Sequence, residues 1–462
     1  MQTARSSREG TRFERRRTLF CPLVSNVALP LISRPPDGRT GAATSVAELP
    51  WSSDSRRLGA PGVDGVYVHV PFCFHKCHYC DFYSFVDKED RQPAFVTRLI
   101  EEIAAVSAGW SRPLETIFVG GGTPTLLPPR LWRRLLRTFR ERLPLISDGE
   151  FTVEANPETV TSELADILVD GGVTRVSLGA QSFEPRHLAM LERWHDPASV
   201  ERAVTMLRRA GVREINLDLI FGIPGGIPGK TANAAATGVT GSSGQVGGQT
   251  LSEWAGDLDQ ALALSPDHLS CYGLTYETNT AMTMRLSQGE FEPCDQGLEA
   301  EMFELAAGRL AAAGFEHYEI SNWARTDALG ARYCRHNLIY WHNREWWAFG
   351  PSGSAHVDGL RWKNVPRLGD WLASSPWSPV VDVERSDERT QSGERLMIGL
   401  RLIAGLDAAL VRTLASVGDD GSTRMASLER HLANGLLEEH GSRIRLTRKG
   451  RLLANEVLVE LV

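Results

Sequence analysis

From Val66 onward the chain reads as a parallel α/β fold, on three observations. Short apolar runs rich in β-branched residues alternate with longer stretches of helical spacing, the pattern of strands joined by crossover helices. Six such runs follow one another. Most of them end in glycines or polar residues, which marks the carboxyl end of a strand as the place where chemistry gathers.

The first strand is expected over 66–70, where Pro71 stops it. The second, over 116–119, leads into Gly120-Gly121-Gly122-Thr123-Pro124. The third, over 151–154, runs into Ala155-Asn156-Pro157, and the fourth, over 173–178, into Gln181-Ser182-Phe183. The fifth covers 215–220 and ends in Phe221-Gly222-Ile223-Pro224; the sixth covers 267–274. Helices over 91–106, 129–142, 162–170 and 199–210 fill the gaps.

The loop after the first strand carries the chemistry. Cys73, Cys77 and Cys80 stand at C-x3-C-x2-C spacing within Tyr67 to Phe82. Structural zinc takes four closed ligands, and ordinary iron–sulfur clusters also take four. Three cysteines therefore leave one corner of a cluster open to an exchangeable ligand. The alternative is a zinc knuckle that borrows His69, His75 or His78 as its fourth ligand.

At 462 residues the chain is long enough for two or three domains. A hydrophobic share of 42% with 23% charged residues excludes a disordered class, and no apolar run reaches the ~20 residues that span a bilayer. A net charge of −7 argues against nucleic acid as the general partner. Seven cysteines, three of them clustered, fit a reducing compartment with a metal site, so a cytoplasmic location is expected, with peripheral membrane association left open. Residues 1–60 are Arg- and Ser-rich and lack a sustained period. They read as a disordered extension or a misassigned start; the competing transit-peptide reading is opposed by acidic residues and by Pro30, Pro35 and Pro36.

The cysteine stretch, the GGGTP and EANP segments and Gly179-Ala180-Gln181-Ser182-Phe183 together resemble the radical S-adenosylmethionine (SAM) families, and within them the oxygen-independent coproporphyrinogen III oxidase group. The likeness runs from about Gly65 to the carboxyl terminus. It implies a partial (β/α)6 barrel over 61–290, with a [4Fe–4S] cluster on Cys73, Cys77 and Cys80 and SAM at the open iron. It further implies SAM-binding roles for Tyr67, Tyr79, Gly121, Gly122, Thr123, Glu154, Gln181, Arg193 and Asp218, and a flavodoxin- or ferredoxin-type electron donor. Cys80-Asp81-Phe82 lacks the further cysteine typical of the true oxidase and is similar to the HemW subgroup of haem chaperones.

In the second half, His336-Asn337-Leu338-Ile339-Tyr340-Trp341 resembles the HemW motif implicated in haem binding. The resemblance thus implies haem as cargo and an acceptor protein to receive it. Imidazole is a standard axial haem ligand and aromatic faces pack on a macrocycle, so the chemistry is sensible. The competing reading is an aromatic core segment whose histidine only hydrogen-bonds. Cys334 and His356 are alternative ligands. Two further functions stay open: oxidative decarboxylation of coproporphyrinogen III, and a zinc-stabilised interaction protein.

Two stretches are expected to stand apart from the barrel and from the α+β extension over 291–385. Residues 225–248 are a Gly/Ala/Ser/Thr-rich insertion, expected to be a flexible surface loop without catalytic function, a lid being the alternative. Residues 386–462 read as a small winged-helix-like domain: helical spacing over 394–403 and 427–434, a hairpin over 435–447, and a final helix over 449–460. Its acidic and basic residues nearly balance, which removes the electrostatic footprint of a DNA binder.

Overall fold

The structure, a computed structural model, describes residues 44–49, 62–110, 112–226, 247–328, 330–374, 376–419 and 421–462. The expected extension over 1–60 and the insertion over 225–248 lie mostly outside them. Residues 44–49 depart from the disorder expected of that extension. Thr44–Ser45 pairs with Pro379 and Val380, and Val46 and Leu49 are buried.

Six strands lie parallel in chain order: β1 (Gly65–Val70), β2 (Leu114–Gly121), β3 (Leu145–Ala155), β4 (Arg175–Gln181), β5 (Glu214–Phe221) and β6 (His268–Gly273). Between them run α1 (Gln92–Val106), α2 (Pro129–Arg142), α3 (Ser162–Asp170), α4 (Pro197–Ala210) and α5 (Leu251–Ala263), each packed on a neighbouring helix. Local chemistry sets their ends. Pro lies in the first turn of α1, α2 and α4, and the Asp196 side chain accepts from Ser199 N to cap α4. At α5 the side chains of Thr250 and Glu253 form a reciprocal capping box.

Successive strand residues point to opposite faces, and this alternation builds the site. Val66, Val68 and Val70 of β1, Val176, Leu178 and Ala180 of β4, and Ile215, Leu217 and Leu219 of β5 are buried in the large apolar core. The residues between them line a cavity: Glu154 from β3, Arg175, Ser177 and Gly179 from β4, Asn216 and Asp218 from β5, His268 and Ser270 from β6. A polar interior inside an apolar jacket is what a ligand-holding barrel requires, and it explains why β4 is buried along its whole length.

The second half extends the sheet at both edges. α6 (Gln296–Ala312) leads to the hairpin β7 (Phe315–Glu319) and β8 (Asn322–Asp327), and β8 pairs antiparallel with β6. α7 (Arg335–Trp341) then crosses beneath the sheet to β9 (Trp346–Phe349), which joins β1 in parallel. β10 (Ser354–Val357), β11 (Leu360–Asn364) and β12 (Pro379–Arg385) follow antiparallel.

The carboxyl-terminal elements are α8 (Glu388–Gly399), a short strand Leu406–Asp407, α9 (Ala408–Ala415), α10 (Gly421–Ala433), β13 (Leu437–His440), β14 (Arg443–Leu446), α11 (Arg448–Leu452) and α12 (Ala454–Val459). This is the helix, strand, helix, helix, hairpin order of a winged helix. The single final helix expected over 449–460 is two, broken at Leu453, whose φ of −115° and ψ of 24° leave the helical region. α8 ends before residue 403, and α9 was missed although Asp407 caps it through Leu410 N. The hairpin's Glu438 and Glu439 are paired with Arg445 at 2.7 Å and Arg412 at 2.6 Å, so its charge is satisfied within the module. No helix among the described residues is long and apolar enough to cross a membrane.

Candidate metal and cofactor site

The three cysteines line one wall of a cavity of ≈ 300 Å³ at the carboxyl ends of the strands. Their loop is fixed at its ends by backbone: Cys73 N donates to Phe85 O at 3.0 Å, and Cys80 N donates to Cys77 O at 3.2 Å. Burial pushes the Cys73 thiol up and the Cys80 thiol up to about 11, with the neighbouring cysteines adding to both. Cys73 and Cys80 thus favour the protonated thiol on their own; a cationic metal centre is what would hold them as thiolates.

The glycine triplet lies flat against this loop. Gly122 N donates to Val70 O and Thr123 N to Phe72 O, both at 2.7 Å. A Cβ on Gly122 would stand 2.5 Å from Phe72 O, so the approach admits only glycine. Gly121 adds a positive φ of 110°, and a Cβ there would strike the His69 ring at 2.6 Å. Its N–H donates to Glu154 Oε2 at 3.0 Å. Thr123 Oγ1 lies 3.8 Å from Cys73 Sγ and accepts from Asn156 Nδ2 at 3.1 Å.

Four carboxylates line the cavity: Asp81, Glu154, Asp218 and Glu277. Burial, then the nearby charge of Asp218, pushes Glu154 up to about 7 against the pull of the Gly121 N–H. Burial also raises Asp218, although Ser177 Oγ donates to it at 3.0 Å and Asn216 Nδ2 at 2.7 Å. Arg193, half-buried, lines the same cavity. It reaches Cys77 Sγ at 3.5 Å, Asn156 Oδ1 at 2.9 Å and Gly179 O at 2.6 Å, while its Nε has no protein partner. Gln181 enters from the end of β4, where the register shifts and its φ is 64°. A non-glycine residue held in that region costs about 1–3 kcal/mol, which the surrounding packing must impose.

The structure thus brings Cys73, Cys77, Cys80, Tyr79, Gly121, Gly122, Thr123, Glu154, Gln181, Arg193 and Asp218 to one cavity. Tyr67 is not among the lining residues. Its hydroxyl bonds His69 Nδ1 at 3.0 Å, and His69 Nε2 meets Tyr83 O at 2.8 Å, so Tyr67 braces the end of the cysteine loop. Of the histidines that a zinc knuckle would borrow, His69 and His78 are otherwise engaged. His69 is tied at both nitrogens, His78 Nδ1 faces Arg285 at 3.1 Å, and His75 stacks on Trp194. Among the described residues no three His, Cys, Asp or Glu side chains close around a single ion.

The expected haem motif is mostly elsewhere. Asn337 lines the cavity. His336 is 1% exposed, with Nδ1 on Thr116 Oγ1 at 2.7 Å and Nε2 on Tyr340 OH at 2.8 Å. Burial lowers its pKa to about 3, which keeps the ring neutral. Trp341 lies beneath the carboxyl-terminal module with Ile398 and Leu402. In this arrangement both ring nitrogens of His336 are engaged by hydroxyls of the chain itself. Cys334 is buried beside Glu150, and His356 bonds Arg344 O. Asn156, which joins Thr123 to Arg193, was quoted within EANP but not assigned to the site; its position two residues beyond Glu154 was the available signal.

The Radical SAM superfamily profile matches residues 67–228, and the HemN C-terminal domain profile matches 387–453. The protein "Heme chaperone HemW" of Mycobacterium tuberculosis is 35% identical over 407 residues, covering 86% of this chain and 94% of the relative. This chain belongs to the HemW family. The HemW proteins of Escherichia coli K12 and Bacillus subtilis are 34% and 32% identical, each covering 85% of this chain and 96% and 97% of its own. The solved structure of coproporphyrinogen III oxidase (HemN) from Escherichia coli superimposes with a TM-score of 0.70 at 19% identity, over 88% of this chain and 91% of that one. That likeness carries the fold alone. Radical SAM membership of the HemW family implies a [4Fe–4S] cluster and SAM, and the residues present fit both: three thiols on one wall, glycine backbone in close approach, and a half-buried guanidinium with an unpartnered Nε.

Proposed function

We propose that the protein is a haem chaperone that binds haem, carries a cluster on Cys73, Cys77 and Cys80 with SAM beside it, and passes the haem to an acceptor protein. The observation that carries this is the near full-length relationship to proteins named Heme chaperone HemW. It is joined by Phe82, half-exposed at the place where the resembled oxidases carry a further cysteine.

When bound, the cluster supplies an iron with a free coordination position and an electron. The chain's own residues do the rest. The Gly120–Gly122 backbone admits a ligand's amino end, Glu154 accepts from ribose hydroxyls, and Arg193 holds a fixed cation between Asn156 and Cys77. Tyr79, half-buried against the cluster that holds Ile220 and Leu274, forms part of the cavity lining. A flavodoxin- or ferredoxin-type protein is the donor this arrangement would use.

The test is one anaerobically reconstituted sample of the full chain, assayed for haem binding and for coproporphyrinogen III decarboxylation. Haem binding without decarboxylation is expected, and cluster iron should be lost in Cys73→Ala, Cys77→Ala and Cys80→Ala. Turnover of coproporphyrinogen III, or a colourless protein with stoichiometric zinc, would overturn the proposal.

A further inference from the structure

An exposed cluster of large aromatics is informative where a single exposed apolar residue is not. Two such rings meet at the cysteine loop: Phe74 is 60% exposed and Trp194 62%. Phe74 and Trp194 meet edge to face with ring centres 5.6 Å apart, and the His75 imidazole stacks on the indole at 4.4 Å and 21°. Phe74 and His75 lie between Cys73 and Cys77, and Trp194 follows the arginine that touches Cys77 Sγ, so the platform is fastened to the cluster loop from both sides.

His75 is posed as a metal ligand. Its Nε2 is buried without a hydrogen-bond partner, 3.6 Å from Glu192 Oε2, and among the described residues no hydrogen bond engages Nδ1. Metal-bound imidazoles commonly direct their other nitrogen at a carboxylate, which fixes the ring and raises its basicity. Glu192 is itself held at a φ of 54°, a conformation that persists only where the surroundings impose it.

The cavity at the strand ends, ≈ 300 Å³, is at the lower limit for one drug-sized ligand, and the implied cluster and SAM would share it. His336 is closed off by Thr116 and Tyr340.

Resting on the haem-chaperone reading, we propose that haem docks on the rim, its face against Trp194 and Phe74, with His75 Nδ1 as axial ligand. The macrocycle would then lie beside the cluster loop, open to solvent on its far side for transfer.

Ferric haem titrated anaerobically into the reconstituted full chain tests this by absorbance and by electron paramagnetic resonance. Trp194→Ala should weaken binding about tenfold or more, as loss of a central aromatic anchor does. His75→Gly should change the spin-state signature, and added imidazole should restore it. Iron and sulfide content of each variant separates these effects from loss of the cluster. Unchanged affinity and spectrum in both variants would overturn the rim site. Loss of the axial signature in His336→Gln alone would also overturn it, yet leave the chaperone reading standing. A Trp194→Ala protein with intact haem binding but slowed cluster reduction would assign the patch to a protein donor instead. A wild-type chain that binds no haem would end both readings.

Discussion

Arg193 Nη1 stands 3.5 Å from Cys77 Sγ while its Nη2 holds Asn156 Oδ1 at 2.9 Å and Gly179 O at 2.6 Å. One half-buried guanidinium therefore ties the cysteine loop to the ends of β3 and β4. Replacing it with Met keeps the bulk but leaves the half-buried Asn156 Oδ1 and the buried Gly179 O without their donor, at about 1–3 kcal/mol for the buried one. Arg193→Met should lower the apo-protein's melting temperature and reduce the iron retained after reconstitution. Full iron retention would show that the cation is dispensable to the loop.

Gly122 tests the close approach of the triplet. A methyl group 2.5 Å from Phe72 O cannot be absorbed by a side-chain rotation, because the obstacle is backbone. Gly122→Ala should weaken SAM binding at least tenfold in calorimetry with the cluster loaded, whereas Gly172→Ala, with nothing within 4 Å, should act only through its φ of 94° on stability.

Glu154 gives the apo-protein a pH dependence of definite sign. Burial raises its pKa from 4.5 to about 7, so between those values the folded chain binds more protons than the unfolded one. Stability from this group is fullest below pH 4.5 and falls as the pH rises through 7. The stability difference between wild type and Glu154→Gln should therefore decline by up to about 3 kcal/mol across that window in denaturant titrations. A flat difference would mean that Glu154 is ionised in the apo-protein.

The motif helix α7 should behave as structure. Trp341→Ala removes a buried indole from beneath Ile398 and Leu402 and should cost about 3–5 kcal/mol. His336→Ala leaves the Thr116 and Tyr340 hydroxyls without their partner, at about 1–3 kcal/mol each. Chemical denaturation measures both, and stabilities equal to wild type would show that the segment is free for another task.

The six parallel strands, α1 to α4 and the three-cysteine loop were legible in the sequence because each rests on local rules. β-Branched runs favour strands, Pro and Asp open helices, and a metal loop announces itself by spacing. The site at the strand ends was legible for the same reason, since glycine and carboxylate positions follow directly from the strands that carry them. What tertiary structure alone decided is where side chains from distant segments meet. His336 and Thr116 are 220 residues apart, and only the packing of α7 on β2 brings them within hydrogen-bond distance. Phe74 and Trp194, 120 residues apart, read singly as ordinary apolar positions. Only the fold of the cysteine loop against the segment after β4 makes them one exposed face.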